Sequence, residues 1–514
     1  MKKIKKLLAM IMAMTMVLGM AISVSAAPST EKGTATVKGV TEEDAVVTAY
    51  QMVTYDDTGV YSVVSALNGI YEVGKADADV ITSIASNSDL LAQLDSTTLD
   101  KQPSGDYIAE LTAGTYLVLV SNTGETVYNP MLLSLNVSYP NGVGNGEVDA
   151  DQNYVVDGAT IYAKSTSVPL EKWISDAEGN KIGSDKENTL NGGKFDTVSK
   201  GDIVYFTIKT MIPSYSKQYE NDKLTFTLTD TVDDRLKLDN TDDKLVNSIK
   251  SQIDSQNLNA AEVKVVGQTI TITFDNDYIL NNQKTEIQII YPAVMQGKDS
   301  HMGTDAFEGA ENKVVLEYSN SPTTTVDKEA STIHFSPDFA IYKIDEKDKD
   351  KATADKEYLD GAVFTLTSVD DPNKVFTSIE SEDSNEDTIY VFGDVGPGEY
   401  TLKETKAPNG YALSNVEYKV TVGELKYNTA GLNYFNVKVY DQTGKEIDKV
   451  SYTYNGGIRP NVIKNGRIEI LNTQLASLPS TGGIGTTIFT IGGCAIMIAA
   501  AALYFVNRRK SEEN

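Results

Sequence analysis

Short runs in which every second residue is apolar recur from about residue 34 to residue 473, and this period of two constrains the chain more than any other feature. Thr225-Phe226-Thr227-Leu228-Thr229-Asp230 and Tyr400-Thr401-Leu402-Lys403-Glu404 are examples. A strand turns successive side chains to opposite faces, so each run predicts a sheet with one buried face, and the recurrent Thr, Val, Tyr and Ile suit that surface. Long helical periodicities are few. The expectation is a mainly β chain of tandem sandwiches, and 514 residues leave room for about three domains.

The same alternation places two carboxylates oddly. Asp230 falls on the face of Phe226 and Leu228, and Glu404 on the face of Tyr400 and Leu402. Burying an unpaired charge is costly and favours the protonated acid. The plain alternative for Asp230 is a strand-end carboxylate at the solvent boundary.

Both ends of the chain are apolar. Lys2, Lys3, Lys5 and Lys6 precede a stretch from Leu7 to about Val24 that closes on Val24-Ser25-Ala26, the order of a secretory signal peptide over residues 1–26. A second membrane span is the other reading, although the small-residue exit favours cleavage and a mature start near Ala27. At the far end Leu478-Pro479-Ser480-Thr481-Gly482 precedes an apolar run from Ile484 to Val506 and then Asn507-Arg508-Arg509-Lys510. As a helix at ~1.5 Å per residue the run spans a hydrocarbon core of ~30 Å, and the basic cluster holds the tail in the cytoplasm. The bulk of the chain therefore lies outside the cell.

Composition narrows the partners. With 72 acidic against 45 basic residues the formal charge is -27, which repels phosphate backbones and argues against nucleic acid. The single cysteine, Cys494, sits in the membrane run, so no disulfide staples the exported part. Two isolated histidines, His301 and His334, are too few for a histidine metal site or a Ser/His/Asp triad. No metal or other cofactor is expected.

Three blocks lie between the ends. In the first, residues 27–166, strands are expected at Thr34–Val40, Ala45–Tyr55, Tyr107–Glu110, Thr115–Val120, Met131–Val137 and Tyr154–Ala163, with a helical excursion over Ala76–Leu94. It ends in Ile161-Tyr162-Ala163-Lys164, which patterning alone makes a solvated strand-end lysine. The second, residues 167–333, opens with Pro169-Leu170-Glu171-Lys172-Trp173-Ile174 and continues with strands at Asp202–Thr210, Leu224–Asp230, Glu262–Val266, Thr269–Asp275, Thr285–Tyr291 and Lys313–Tyr318. The third, residues 334–475, opens with Ala340-Ile341-Tyr342-Lys343-Ile344-Asp345 and closes with Arg467–Thr473. The sorting segment occupies residues 476–514.

Three motifs carry a family resemblance. The pentapeptide Leu478–Gly482 with its span and basic tail resembles the LPxTG cell-wall sorting signal of Gram-positive surface proteins, in which a sortase cysteine cuts after the Thr, here Thr481, and holds it as a thioester for an incoming amine. Tyr400-Thr401-Leu402-Lys403-Glu404-Thr405-Lys406-Ala407-Pro408-Asn409-Gly410-Tyr411 resembles the YxLxETxAPxGY box of Cna B-type domains, and Gly361-Ala362-Val363-Phe364 their GAxF strand. That resemblance implies an Ig-like (Cna-type) sandwich with an internal isopeptide bond between Lys343 and Asn472, catalysed by Glu404. The second block resembles the fimbrial isopeptide-forming domain, which implies Lys172, Asp230 and Asn312, with Asn320 the alternative to Asn312. Ile161-Tyr162-Ala163-Lys164 is similar to the VYPK motif of backbone pilins, with Ala163 where the family has Pro. Lys164 is then the intersubunit lysine, and Lys38, Lys75 and Lys101 stay open.

The chemistry suits those residue types. Desolvation lowers an amine's pKa and raises a carboxyl's, so a dry sandwich can hold a neutral lysine nucleophile beside a protonated acid that polarises the Asn oxygen and moves protons as ammonia leaves. The resemblance implies a major pilin subunit on the cell wall, polymerised through Thr481 and a lysine of the next copy, supporting adhesion or colonisation. Its implied partners are a pilus sortase, other copies of itself, minor pilins, a peptidoglycan precursor and a host surface ligand. A monomeric wall-anchored adhesin or minor pilin is the alternative. A surface hydrolase is third, since nothing gathers carboxylates with a His, a Cys or a glycine-rich loop.

Overall fold

The computed structural model describes residues 31–55, 60–75, 77–121, 124–138, 155–182, 194–215, 224–298, 309–321, 324–383, 385–427, 432–454, 462–475 and 485–511. The signal segment, His301, the pentapeptide Leu478–Gly482 and the start of the strand expected at Tyr154 lie outside them. The fold is mostly β.

The first sandwich packs two sheets. One runs in the order Ala159–Tyr162, Lys32–Lys38, Tyr107–Thr112, Asp100–Lys101, and the other Tyr61–Val63, Val46–Tyr55, Gly114–Ser121, Met131–Leu135. Their inward faces, with Val37, Val47, Tyr107, Val118 and Leu133, form a common core. The helical excursion is two helices, Ala78–Ser86 and Ser88–Leu91. Asn87 divides them: its backbone is extended and its side chain accepts from Leu90 N–H, so it ends one helix and caps the next. Ala159–Tyr162 pairs in parallel with the opening strand and stops two residues short of Lys164.

In the second sandwich one sheet orders Leu170–Ser175, Ile203–Met211, Glu286–Met295 and Leu236–Lys237. The facing sheet orders Phe195–Thr197, Thr325–Phe335, Ala310–Ser319, Phe226–Val232, Thr269–Phe274 and Ala261–Val266. Glu286–Met295 passes through Pro292, beyond the expected end at Tyr291. Its short partner Leu236–Lys237 reaches only Met295 and Val294, so Pro292 lies on an open edge where a missing N–H is tolerated. The strand Thr325–Phe335 was not expected, because its first half alternates charged and small residues rather than large apolar ones. It carries the fold past the expected boundary at residue 333: Ile333, His334 and Phe335 pair with Phe195, Asp196 and Thr197.

These two sandwiches belong to one compact unit, which runs up to Pro337. Ser165–Ser167 pairs with Thr126–Tyr128, and Val127 of the first block is buried in the core of the second.

The other unit is built from Asp338–Glu424, Phe435–Tyr452 and the chain from Ile463. One sheet orders Ile379–Glu382, Thr388–Phe392, Phe339–Asp345 and Glu469–Asn472, and the first and last strands of this domain run parallel with Lys343 opposite Ile470. The facing sheet runs from Val375–Thr377 through Val363–Ser368, Gly398–Lys406, Glu417–Val422, Asn433–Tyr440 and Glu446–Tyr454 to Val462–Asn465. Gly485–Ser511 is a helix, and its segment Ile488–Val506 has a mean hydropathy of 2.1, long and apolar enough to cross a membrane.

Candidate functional site

The second sandwich brings four polar side chains together between its sheets. Lys172 and Tyr291 come from one sheet, Asp230 and Asn312 from the other, and Lys172, Asp230 and Asn312 are each no more than 1% exposed. Alternation along Phe226–Val232 buries Phe226, Leu228, Asp230 and Val232 together. Lys172 Nζ donates to Asp230 Oδ1, to Asn312 Oδ1 at 2.6 Å and to Tyr291 OH at 3.2 Å. Tyr291 OH donates to Asp230 Oδ2 and accepts from Asn312 Nδ2 at 2.6 Å. The Phe206 ring lies 5.5 Å from Nζ and packs against Tyr291, closing the site to water. Burial pushes the Lys172 amine down to about 8, against the opposing pull of Asp230. Burial, reinforced by the Asp230 charge, holds the Tyr291 phenol well above its ordinary range.

The third domain repeats the arrangement with different parts. Lys343 and Asn472 stand on neighbouring parallel strands, and Glu404 reaches them from the facing sheet. Glu404 Oε1 lies 3.0 Å from Lys343 Nζ and accepts from Asn472 Nδ2 at 3.2 Å, while Nζ also donates to Leu471 O at 2.9 Å. Phe364 of the Gly361-Ala362-Val363-Phe364 run supplies the ring beneath Nζ, at 5.4 Å. Desolvation lowers the Lys343 pKa, against Glu404. The tail of the Tyr400–Tyr411 motif has a local purpose. Gly410 takes a φ of +85°, open to glycine at little cost, and the turn it makes lets Ala412 N–H bond Thr473 O and Leu475 N–H bond Gly410 O on either side of the closing strand's end. Ser414 N–H then donates to Glu404 Oε2 at 2.7 Å.

Among the described residues neither acid bonds the amide oxygen of its asparagine. In both sites the amide oxygen of the asparagine is bonded elsewhere: Asn312 Oδ1 accepts from Lys172, and Asn472 Oδ1 from Thr473 N–H at 3.0 Å. Glu404 meets the amide nitrogen instead.

Asn320 is fully buried but faces away from Lys172. Its Nδ2 donates to Gly124 O at 3.1 Å, and its Oδ1 accepts from Thr324 Oγ1 at 2.6 Å. Lys164 is exposed, and its carbonyl accepts from Asn129 N–H at 3.0 Å. Lys38 pairs with Asp106 at 3.3 Å, Lys75 pairs with Glu72, and Lys101 donates to Glu43 O at 3.0 Å. Thr481, with the rest of its motif, lies outside the described residues. His334 is fully buried, edge-on to Phe206 at 5.2 Å, and neither ring nitrogen has a hydrogen-bond partner among the described residues. Tyr291 escaped the sequence reading because it alternates with Ile287 and Ile289, where a tyrosine looks like ordinary core.

Tandem sandwiches ahead of an apolar helix and a sorting motif define a wall-anchored surface protein. Residues 338–434 match the SpaA model, a prealbumin-like fold domain, and residues 471–513 match the LPXTG cell wall anchor motif. The trypsin-resistant surface T6 protein of Streptococcus pyogenes serotype M6 is 27% identical over 478 residues, covering 78% of this chain and 79% of that protein. The solved T6 backbone pilin of the same organism superposes with a TM-score of 0.57 at 18% identity, over 87% of this chain and 99% of that one. The major pilin SpaA of Corynebacterium diphtheriae aligns over 86% of this chain and all of that one, at 14% identity and a TM-score of 0.43. This chain is a homologue of the T6 backbone pilin and a protein of the Gram-positive cell-wall surface.

Proposed function

We propose that this chain is the repeating subunit of a covalent surface pilus, closed internally by Lys172–Asn312 and Lys343–Asn472 amide bonds and joined to its neighbour through Thr481 and Lys164. The observation that carries the reading is the pair of dry clusters, each holding a lysine and an asparagine within reach of acidic or phenolic groups and under an aromatic ring. A buried ion pair left as such is a poor stabiliser, because desolvation of both charges offsets most of their attraction. Reaction removes that cost. The neutral lysine nitrogen adds to the asparagine carboxamide carbon, the new C–N bond forms, the old one breaks, and ammonia leaves with the proton that the lysine gives up. What remains is a neutral amide beside a neutral acid. The Lys172 pKa of about 8 supports this, since about a tenth of the amine is then neutral at pH 7.

Three modules, over residues 27–166, 167–333 and 334–475, divide the work. A sortase takes Thr481 as acyl donor, and the exposed Lys164, held on a backbone bonded to Asn129, is the acceptor on the next copy. The chain is thus an enzyme's substrate, with no turnover of its own beyond its internal bonds. The test is an immunoblot of wall extracts under denaturing conditions. Native protein gives a ladder, Lys164→Ala gives anchored monomer, and Thr481→Ala gives neither. A ladder surviving Lys164→Ala moves the linkage to another lysine. Native protein that runs only as monomer points instead to a single-copy wall adhesin.

A further inference from the structure

We propose that Tyr291 is a catalytic residue of the second-sandwich crosslink: its hydroxyl delivers the proton released by Lys172 to the nitrogen that leaves Asn312. The inference rests on the Lys172–Asn312 bond proposed above and adds a part that the family motifs do not contain. Four groups close a ring around the reacting carbon. Lys172 Nζ touches Asp230 Oδ1, Asp230 Oδ2 touches Tyr291 OH, and Tyr291 OH lies 2.6 Å from Asn312 Nδ2. Lys172, Asp230, Tyr291 and Asn312 are each 1% exposed or less, so proton transfer runs through these side chains rather than through bulk water.

The third domain shows why a hydroxyl is needed here. Glu404 Oε1 spans Lys343 Nζ and Asn472 Nδ2 by itself, at 3.0 and 3.2 Å. Aspartate is one methylene shorter. Asp230 bonds Lys172 and Tyr291, and the tyrosine oxygen covers the remaining distance to Asn312 Nδ2.

The steps balance. In the planar amide the Nδ2 lone pair is delocalised, and Nδ2 donates to Tyr291. When neutral Nζ adds to Cγ of Asn312, the carbon becomes tetrahedral, Nδ2 becomes basic and Nζ becomes cationic. The Nζ proton then passes to Asp230 Oδ1; Tyr291, which donates to Asp230 Oδ2 before reaction, turns its hydroxyl toward Nδ2 and gives that nitrogen its proton as its oxygen takes one from Asp230 Oδ2. The Cγ–Nδ2 bond breaks with its electron pair on nitrogen, ammonia leaves and the carbonyl reforms. Asp230 ends with as many protons as it held when Nζ attacked, and Tyr291 ends neutral. A phenol held well above its ordinary pKa suits a relay that never accumulates charge.

The test follows both crosslinks in one full-length chain by isotope pulse and tryptic peptide mapping over time. Tyr291→Phe keeps the ring on Phe206 and removes only the hydroxyl. It slows Lys172–Asn312 joining by about a hundredfold, a usual size for a lost proton-transfer group, and leaves Lys343–Asn472 joining at the native rate. The buried indole of Trp173, the only tryptophan, reports by its emission that the second sandwich has folded. A fluorinated tyrosine at position 291 restores most of the rate and decides the matter if the Phe variant misfolds. Native-rate joining in Tyr291→Phe, or a fluorinated tyrosine as slow as Phe, overturns the relay. If Asp230→Ala still joins at the native rate, the relay through Asp230 and Tyr291 falls while the bond stands; if native chain yields no Lys172–Asn312 peptide, the crosslink itself falls and takes the relay with it.

Discussion

Lys172 and Lys343 are among the largest side chains buried with less than 2% exposure, and each is tolerable only because a carboxylate meets it. Removing that partner strands a cation in the core, a change that costs about 3–5 kcal/mol before any lost crosslink is counted. Glu404→Ala should therefore lower the melting temperature of the exported chain and leave its mass one ammonia below that calculated from its own sequence, where native protein lies two below; equal deficits in the two proteins would count against the third-domain bond. His334 makes a different prediction. Burial alone pushes its pKa down to about 3, against an ordinary value near 6.5. The core thus holds the neutral ring: its stability is fully present above about pH 6.5 and is lost as the pH falls toward about 3. His334→Phe removes the titration and two nitrogens that have no partner among the described residues, so its melting temperature should fall less than that of native protein between about pH 7 and pH 5. Equal acid sensitivity in the two proteins would show that the imidazole is not the titrating group.

Among elements, the hairpin formed by Ala310–Ser319 and Thr325–Phe335 does more than close a sheet. Tyr318 OH donates to Glu125 O at 2.5 Å, Asn320 Nδ2 to Gly124 O at 3.1 Å, and Lys328 Nζ both pairs with Glu125 at 2.6 Å and donates to Val168 O at 2.7 Å. One segment of the first block, around residues 124–128, is thereby fastened to the second sandwich. Asn320→Ala leaves the Gly124 carbonyl without that donor, a loss of about 1–3 kcal/mol at a buried site. Amide hydrogen exchange at Thr126–Tyr128 and Ser165–Ser167 should speed up while the strands around Lys172 keep native protection. Unchanged exchange at those two paired segments would count against the fastening.

At the scale of the whole molecule, the two proposed bonds decide which residues can lengthen under tension. Lys172 and Asn312 are 140 positions apart, and closing such a loop is worth roughly 4–5 kcal/mol on chain-entropy grounds. Under load the residues between the joined side chains are bypassed. Single-molecule pulling of native chain should show extension from the first sandwich and from the strands between Asn312 and Lys343 only. Among the described residues of that first sandwich no lysine, aspartate or glutamate is buried, so it offers no third cluster of this kind. Glu404→Ala should add the contour length of the third domain. Native chain that already extends through all three domains would contradict both bonds.

The sequence by itself determined the compartment, the β class and the two misplaced acids, because each is a local property: a run of apolar residues, a period of two, a carboxylate on the apolar parity. It could also nominate lysine and asparagine partners from motifs. Only the tertiary structure decided which groups meet. Asn312 and Asn320 are both buried on the same stretch, yet one faces Lys172 across the sandwich and the other bonds Gly124 of the first block. Tyr291 reads as core by parity and becomes a site residue only because Glu286–Met295 is packed opposite Asp230 and Asn312. Thr325–Phe335 is a strand because Ala310–Ser319 offers it a full ladder, despite its polar composition. Periodicity fixes the face on which a side chain stands. What stands opposite is set by sheet order and packing between strands far apart in the chain, and no local pattern records that.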